Sequence, residues 1–314
     1  MALAGNHQDH NIQIFKDNLL EELQEKGMKL VNLFPVSMDK AELVNVDKLG
    51  KSTSVIKTTR GQAKVFTEPT FERRTISFVP VTSDQFVDVT DINNFGVDPQ
   101  SKLVKSMAEE IGRQADLVVM DAISGSANVI TAGSTAATAI PSASKVAVGS
   151  YAFHGGTTAY TGAICLTPSK LKEARKVIGT NFGNINRLVV IGNMNQFESL
   201  LSFDDVKNGG WYRGGKDVLD NNTFSALEGF LGMSYVQYEA TPAISSTVDA
   251  VYVVERDKAL QISIRTPLTV ELGKLMDRVM NPTAIAVWMD LGATRMYEEL
   301  VIQIACSPTV RVPS

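Results

Sequence analysis

The segment 51–79, KSTSVIKTTRGQAKVFTEPTFERRTISFV, contains apolar residues typical of strands but no continuous apolar face. Its β-forming apolar residues predict two strands: Val55, Val65, Phe66, Ile76 and Phe78. Charged residues and threonines occupy both faces of this ribbon, so no apolar face is left to pack on a domain. Because an isolated two-stranded ribbon is marginally stable in water, we expect another copy of the same chain to hold it. The pattern therefore predicts assembly rather than catalysis.

A long amphipathic helix is predicted over residues 99–124. Asp98 is a good N-cap, Pro99 is favoured at the first helical position, and Gly125 ends the helix. One apolar stripe runs along it: Leu103, Val104, Met107, Ile111, Ala115, Val118, Val119 and Ala122. We expect this stripe to be buried in the chain's own core. At 1.5 Å per residue the helix is about 39 Å long, a strut that spans most of the molecule.

The segments before and after this helix have weaker patterns. Residues 1–50 predict an N-terminal arm, with a short amphipathic helix (Ile12, Phe15, Leu19 and Leu23 on one stripe) followed by an extended stretch. Residues 124–162 are low in charge and rich in Gly, Ser, Thr and Ala, so they predict a loop with short strands at most.

The next hundred residues predict a compact α/β unit. A helix begins at Thr167 and Pro168, a buried strand covers 187–191, and Asn193 with Gln196 resembles a capping box that opens a second helix. A long Gly-rich loop is expected over 203–222, which is usual for a functional or mobile segment. Strands are expected near 232–239 and 250–255, and residues 259–306 alternate like a further set of strands.

Charge is distributed unevenly along the chain. Residues 51–79 hold six basic and two acidic residues, a formal charge of +4, whereas 80–125 hold three basic and eight acidic residues, a charge of −5. A basic ribbon beside an acidic body can pair head to tail between copies, which gives register and specificity more than affinity. Charge alone is equally compatible with an ordinary solvated hairpin.

The composition excludes several classes of protein. The chain has 314 residues, 44% of them hydrophobic, enough for one large core or two modest ones. A net charge of −4 argues against a sequence-wide nucleic-acid binder. The two cysteines, Cys165 and Cys306, are too few for a disulfide framework or a thiolate metal site. With no signal peptide and no long apolar run, we expect a protein made in the cytosol of its producing cell.

The residues that commonly carry catalysis form no recognisable set. Gly210–Lys216 has the spacing of a phosphate loop, but Asp217 stands where Ser or Thr would bind magnesium and no strand precedes it. No Gly-x-Ser-x-Gly elbow is present. The adjacent carboxylates Glu298 and Glu299 predict a solvated face rather than a shared proton site. We therefore expect no enzyme, no cofactor and no metal site.

Seven segments in a fixed order carry a family resemblance. An Arg- and Thr-rich ribbon and an acidic segment precede VDPQSKLVKSMAEEIGRQADLVVMDAISG; LTPSKLKEARKVI, RLVVIGNMNQFESLL, LEGFLGMSYVQ and GATRMYEELVIQIAC follow. In this order, from about residue 12 to 306, the chain resembles the major capsid proteins of tailed bacteriophages. The resemblance implies an α+β chain with the Hong Kong 97 capsid fold.

The resemblance also implies domain bounds. Residues 1–50 would be the N-terminal arm, 51–80 an extended loop, and 81–164 a peripheral domain whose spine helix is 99–124. Residues 165–260 would be the axial domain, and 261–314 the returning strands of the peripheral domain with a C-terminal tail.

A capsid protein of this family has the other copies of itself as its main partners. The resemblance implies hexamers and pentamers that close into an icosahedral shell around double-stranded DNA, assembled in the host cytoplasm. A separate scaffolding protein, a portal protein and a decoration protein are further expected partners; DNA contact would be weak and non-specific, and no membrane is involved. The interface residues expected from charge and interface chemistry are Arg60, Lys64, Arg73, Arg74, Glu109, Glu110, Trp211 and Tyr212.

Two other functions remain open at this point. A cellular nanocompartment shell of the encapsulin type would share the fold but enclose an enzyme instead of a genome. An α+β enzyme would use the Gly-rich segment 203–222 as a lid over an active site. The contents of a purified particle distinguish the two shells, and a ligand-dependent change in the lid would indicate the enzyme.

Overall fold

The computed structural model describes residues 27–50, 54, 56, 58–60, 71–87, 100–131, 134–149, 163–181, 183–201, 230–274 and 283–308. The predicted N-terminal helix, the segment 203–222 and the predicted N-cap Asp98 lie outside the described residues. The helices are α1 (Gln100–Ser124), α2 (Pro168–Thr180) and α3 (Met194–Leu201). The strands are β1 (Val36–Met38), β2 (Leu43–Leu49), β3 (Phe71–Ser77), β4 (Val79–Val87), β5 (Ala127–Thr131), β6 (Ser134–Thr138), β7 (Lys145–Val146), β8 (Leu188–Gly192), β9 (Met233–Gln237), β10 (Asp249–Glu255), β11 (Leu260–Lys274), β12 (Thr283–Arg295) and β13 (Val301–Cys306).

Three sheets organise these strands. The spine sheet has the order β1-β11-β12-β4 and packs on α1, the ribbon sheet has the order β2-β3-β5-β6, and the five-stranded sheet has the order β7-β13-β10-β8-β9. Strand β8 is buried at every position, which explains why its sequence, LVVIG, contains no alternating polar residues.

The long helix α1 confirms the strut predicted from the apolar stripe. Its 25 residues make it about 37 Å long. Met107 and Ile111 are buried, whereas Leu103 and Val118 are only partly buried and pack against the rim of the same core. The stripe of fully buried residues continues through Ala115, Val119 and Ile123, which is the i, i+4 spacing of one helix face.

The α/β unit also forms as its sequence predicts. The Thr167 hydroxyl accepts a hydrogen bond from the Lys170 backbone N–H at 3.3 Å and caps α2. The Asn193 side-chain oxygen accepts from the Gln196 N–H at 3.1 Å and caps α3. The Gln196 side chain does not complete a capping box; its amide instead donates to Asp249 and to the Ser307 carbonyl.

Two expectations about the sheets need correction. Strand β13 pairs antiparallel with β10, so Val301–Cys306 belongs to the five-stranded sheet and not with the returning strands β11 and β12. Strand β7, placed by sequence in the domain of the long helix, pairs with β13 in that same sheet. Alternating apolar residues identify a strand but not its partner, because register and sheet membership depend on the rest of the chain.

The bounds and the strand partners of the ribbon also differ from the prediction. Its paired strands are β2 and β3, with Leu43 opposite Ser77 and Leu49 opposite Phe71, so the ribbon begins inside the predicted arm. Strand β3 also pairs with β5, through Arg73 opposite Ile130 and Arg74 opposite Val129. The base of the ribbon is therefore part of a four-stranded sheet within the chain, and residues 50–70 connect its strands β2 and β3 in sequence.

Candidate assembly surfaces

The two faces of the β2–β3 ladder have different chemistry. One face is exposed, and the paired residues on it are Leu43 and Ser77, Asn45 and Thr75, Asp47 and Arg73, and Leu49 and Phe71. The apolar pair at its far end is notably bare, with Phe71 68% and Leu49 55% exposed. These two paired side chains form a small exposed apolar patch that another protein could cover.

An ion pair joins the two strands on this exposed face. The Arg73 guanidinium donates to Asp47 at 2.7 Å. That hydrogen bond lowers the pKa of the Asp47 carboxyl and raises the pKa of Arg73. Because both side chains are at least half exposed, solvent screens the pair and it adds little to stability.

The opposite face carries an ionic cluster that we call the Arg74 cluster: Lys48, Glu72, Arg74 and Glu298. The Arg74 guanidinium donates to both oxygens of Glu298, at 2.9 Å for the Nη2–Oε2 pair, and more weakly to Glu72 at 3.3 Å. The Lys48 ammonium lies 3.9 Å from Glu298 and 4.6 Å from the centre of the Tyr297 ring. Burial alone would lower the pKa of Arg74, but its hydrogen bonds and the charges of Glu298 and Glu72 raise it.

The Arg74 cluster corrects two expectations. Arg74 is 1% exposed and bound to its own chain, so it does not offer its charge to a neighbouring subunit. Glu298 is 5% exposed and lies in a short 3₁₀ helix, Glu298–Leu300, so it is not on a solvated face. Ile76 is also fully buried, so the base of the ribbon does have an inward face. Alternation could have indicated this, because residues 74 and 76 share one side of a strand.

Arg295 joins this region to the C-terminal end of α1. Its guanidinium donates to the carbonyls of Ile123 at 2.9 Å, Gly125 at 2.8 Å and Thr138 at 2.8 Å. A buried cation that caps terminal carbonyls also complements the helix dipole. Burial lowers the pKa of Arg295. The Arg295 carbonyl in turn accepts from Arg74 at 3.2 Å, so ribbon, helix and β12 meet in one polar cluster.

The N-terminal arm is fixed to the middle of α1 by Asp116. Its carboxylate is 1% exposed and accepts backbone N–H groups of Lys29 and Leu30 at 2.8 Å and of Val31 at 3.2 Å. The arm and the helix touch backbone to backbone at Gly27 and Gly112, where a Cβ on Gly27 would lie 2.7 Å from Gly112. The two glycines therefore allow the arm and α1 to lie close together, and the Asp116 carboxylate holds them there.

The other predicted interface residues lie in different places. Arg60 is exposed. Glu110 is exposed and accepts a hydrogen bond from Ser83 at 3.1 Å, and Glu109 beside it is partly buried. Lys64, Trp211 and Tyr212 lie outside the described residues.

The described residues offer little catalytic chemistry. Within the described ranges, no three His, Cys, Asp or Glu side chains come together as a metal site would require. The buried Lys170 ammonium is satisfied by the carbonyls of Val148, Ile164 and Ala305, at 2.7–3.1 Å. Burial raises the pKa of the Cys306 thiol to about 12, so it is not a nucleophile at neutral pH. No helix among the described residues is long and apolar enough to cross a membrane.

Comparison with known proteins gives one family and one fold. A family model described as phage capsid protein matches residues 8–308. Among solved structures, the capsid of cyanophage P-SCSP1u aligns with a TM-score of 0.65 at 14% identity, covering 93% of this chain and 91% of that one. The capsid of an empty GTA particle aligns at 0.63 with 13% identity and 92% of each chain. A capsid chain of cyanophage Pam1 aligns at 0.62 with 9% identity and 98% of each chain. No curated protein matches significantly.

Proposed function

The chain belongs to the phage capsid protein family, and we propose that it is a major capsid protein whose hexamers and pentamers close into an icosahedral shell around double-stranded DNA. It is a structural protein of the virion with the Hong Kong 97 capsid fold, as its sequence predicts. The observation that carries the proposal is the extent of the family match, which covers the arm, the ribbon, α1 and all three sheets.

The geometry of the single chain supports self-assembly. The ribbon base projects an exposed face that ends in the apolar pair Leu49 and Phe71. Residues 50–70 connect the two strands of that face in sequence, and the described residues Ile56 and Arg60 among them are exposed. A second copy of the chain is the partner that would cover these side chains in every subunit at once. The buried cations Arg74, Lys170 and Arg295 bind carboxylate or carbonyl oxygens of the same chain, which is a structural role.

The remaining partners are proposed from the family. A separate scaffolding protein would guide closure, a portal protein would occupy one vertex, and a decoration protein would bind the finished surface. The packaged DNA would be contacted weakly, as the net charge of −4 indicates. Assembly would take place in the host cytoplasm.

Expression of the chain alone and together with the neighbouring scaffold gene tests the proposal. Sedimentation velocity should detect capsomers and closed particles in place of a monomer, and negative-stain microscopy should show shells of uniform size. Particles purified from infected cells should contain double-stranded DNA. An enclosed enzyme without DNA would indicate a cellular nanocompartment instead, and a chain that stays monomeric with its scaffold would contradict both shell functions.

A further inference from the structure

Strand β6 forms an open edge of the ribbon sheet. The sheet has the order β2-β3-β5-β6, so among the described strands β6 pairs with β5 alone. Its middle residues Thr135, Ala136 and Ala137 are exposed. An edge strand of this kind presents a row of backbone N–H and C=O groups that can pair with a strand of another chain.

The register of the β5–β6 hairpin fixes which backbone groups point outward. Thr131 lies opposite Ser134, and two residues connect them in sequence, so they form a hydrogen-bonded pair. Hydrogen-bonded pairs alternate along an antiparallel ladder, so Ala136 bonds Val129, which lies opposite it. The N–H and C=O groups of Thr135 and Ala137 therefore point away from β5. Within the described ranges, neither residue has a backbone partner on that outer side.

The edge of β6 lacks the features by which natural edge strands avoid pairing, which are charged side chains, proline and bulges. Residues 122–144, which include the whole hairpin, hold no Asp, Glu, Lys, Arg or His, and β6 itself contains no proline. Its ladder with β5 runs without a register shift. In contrast, β2 at the opposite edge of the same sheet carries Asp47 and Lys48.

The hairpin is held in place by the rest of the chain. The carbonyl of Thr138, at the end of β6, accepts a hydrogen bond from the buried Arg295 guanidinium at 2.8 Å. Val129 of β5 is 7% exposed and lies opposite Arg74 of β3. A strand that is already fixed in an extended conformation loses little conformational freedom when a second strand pairs with it.

We propose that β6 pairs antiparallel with β6 of a second copy of the chain, across a twofold axis. The proposal rests on the proposed function and names a contact within the shell. In the register that pairs all five residues of both strands, Thr135 of each copy bonds Ala137 of the other. The two Ala136 residues then lie opposite each other as a non-hydrogen-bonded pair, with Cα atoms about 4.5 Å apart. Because the side chains are small and uncharged, two identical strands meet without like-charge repulsion.

The symmetry of this contact decides its place in a shell. A pairing of identical strands across a twofold axis is isologous, so it joins two copies and does not propagate into a fibre. A pentamer has no twofold axis, so the contact joins copies that belong to different capsomers. Strand β6 therefore acts in the closure of the shell, after the capsomers have formed.

Cysteine crosslinking tests the register. In shells of Ala136→Cys, the two thiols face each other and should form a disulfide when diamide is added, so that most of the chain runs as a dimer on a non-reducing gel. Thr135→Cys is the matched control and should stay monomeric, because its two thiols are offset by about 7 Å along the strands, too far for a disulfide. The wild type serves as the blank, since Cys165 and Cys306 are buried. Absence of the Ala136→Cys dimer, or equal dimer in both variants, would overturn the pairing.

Proline substitution tests the role in closure. Ala137→Pro removes an N–H that points away from β5, so the unassembled chain should melt like the wild type and still form capsomers. Each strand pair would lose two hydrogen bonds, so the yield of closed shells with scaffold should fall by at least about tenfold. Ala136→Pro removes the N–H that bonds Val129 and should lower the melting temperature of the chain itself.

The outcomes separate this inference from the proposed function. Wild-type yields of closed shells from Ala137→Pro would overturn the role of β6, and loss of its capsomers as well as its shells would overturn the assignment between capsomers. If Ala137→Pro does not fold, the outward direction of its N–H is wrong and the register with it. Wild-type shells without the Ala136→Cys dimer would overturn the self-pairing and leave the capsid function intact. A wild-type chain that never assembles with its scaffold would overturn the proposed function.

Discussion

Arg74 in β3 and Glu298 in a 3₁₀ helix are 224 positions apart in sequence and form a buried ion pair, with Nη2 and Oε2 separated by 2.9 Å. Arg74 also donates to the carbonyl of Arg295, whose own side chain caps the end of α1. The base of the ribbon is therefore joined to the helix and to the segment that leads into the five-stranded sheet.

Removal of the Arg74 charge should destabilise the fold far more than removal of the Arg73 charge. Arg74→Met leaves Glu298 buried without its main partner, and should lower the free energy of unfolding by about 3–5 kcal/mol. Arg73→Met breaks only the exposed, solvent-screened pair with Asp47 and should leave the free energy of unfolding nearly unchanged. Denaturant titration measures both variants. Equal losses would show that the Arg74 pair is not buried as described.

Asp116 should hold the N-terminal arm on α1. Asp116→Asn replaces one acceptor oxygen by a donor and leaves at least one of the backbone N–H groups of residues 29–31 without its acceptor, at a cost of about 1–3 kcal/mol. Hydrogen exchange should become faster at these amides. Asp121→Asn, at an exposed position of the same helix, is the control and should leave their protection unchanged. Unchanged exchange in Asp116→Asn would contradict the anchoring role.

The contact between Gly27 and Gly112 should not accept a side chain. Gly27→Ala places a Cβ 2.7 Å from backbone atoms of α1, so the arm must shift, and the variant should unfold at a lower denaturant concentration. Gly273→Ala is the matched control, since nothing lies within 4 Å of its Cβ and the lost flexibility should make it neutral or more stable by about 0.5–1 kcal/mol. Normal stability of Gly27→Ala would show that the arm is not closely packed.

The buried stripe of α1 gives a test of the core. Met107 is 1% exposed, so Met107→Asp buries an unpaired carboxylate and should lower the free energy of unfolding by about 3 kcal/mol or more. Gln114→Asp introduces the same group on the exposed side of the helix and should cost well under about 1 kcal/mol. Soluble Met107→Asp protein with wild-type melting would contradict the assignment of this face.

Stability should fall at alkaline pH because of Cys306. Its folded pKa is about 12 against an ordinary value of 9.0, so the unfolded chain loses this proton first. The stabilising effect is complete below pH 9.0 and is lost as pH rises towards about 12, by about 1.4 kcal/mol per pH unit. Lys170 acts in the opposite direction, because burial lowers its folded pKa. The comparison that tests the thiol is therefore wild type against Cys306→Ala, whose stability should decline less between pH 9 and 11 because the variant has no thiol proton to lose. If the stability of the two proteins declined equally with pH, the role of the Cys306 thiol would be contradicted.

Local sequence patterns predicted the elements of this fold well. The stripe of α1, the Thr167 cap of α2 and the apolar strand β8 depend on residues close together in sequence, so their local chemistry determines them. The order of these elements was sufficient to indicate the capsid family.

Sheet membership and the buried ionic contacts could not be predicted in the same way. The partner of β13 depends on residues some fifty positions away, and that of Arg74 on residues more than two hundred positions away. Alternation places Arg74 on the same side of the strand as Ile76, but an arginine in a Thr-rich ribbon is usually a surface charge, and its buried acceptor Glu298 is distant in sequence. Arg60 and Arg73 are exposed, whereas Arg74 is buried in its own chain and cannot pair with a neighbouring subunit as predicted.

Electron cryomicroscopy of particles formed from this chain and its scaffold tests the central claim most directly. The claim predicts an icosahedral shell in which this chain forms pentamers on the fivefold axes and hexamers elsewhere, with each ribbon lying on a neighbouring subunit. A chain that remains monomeric with its scaffold, or a shell in which every ribbon folds back on its own subunit, would contradict it.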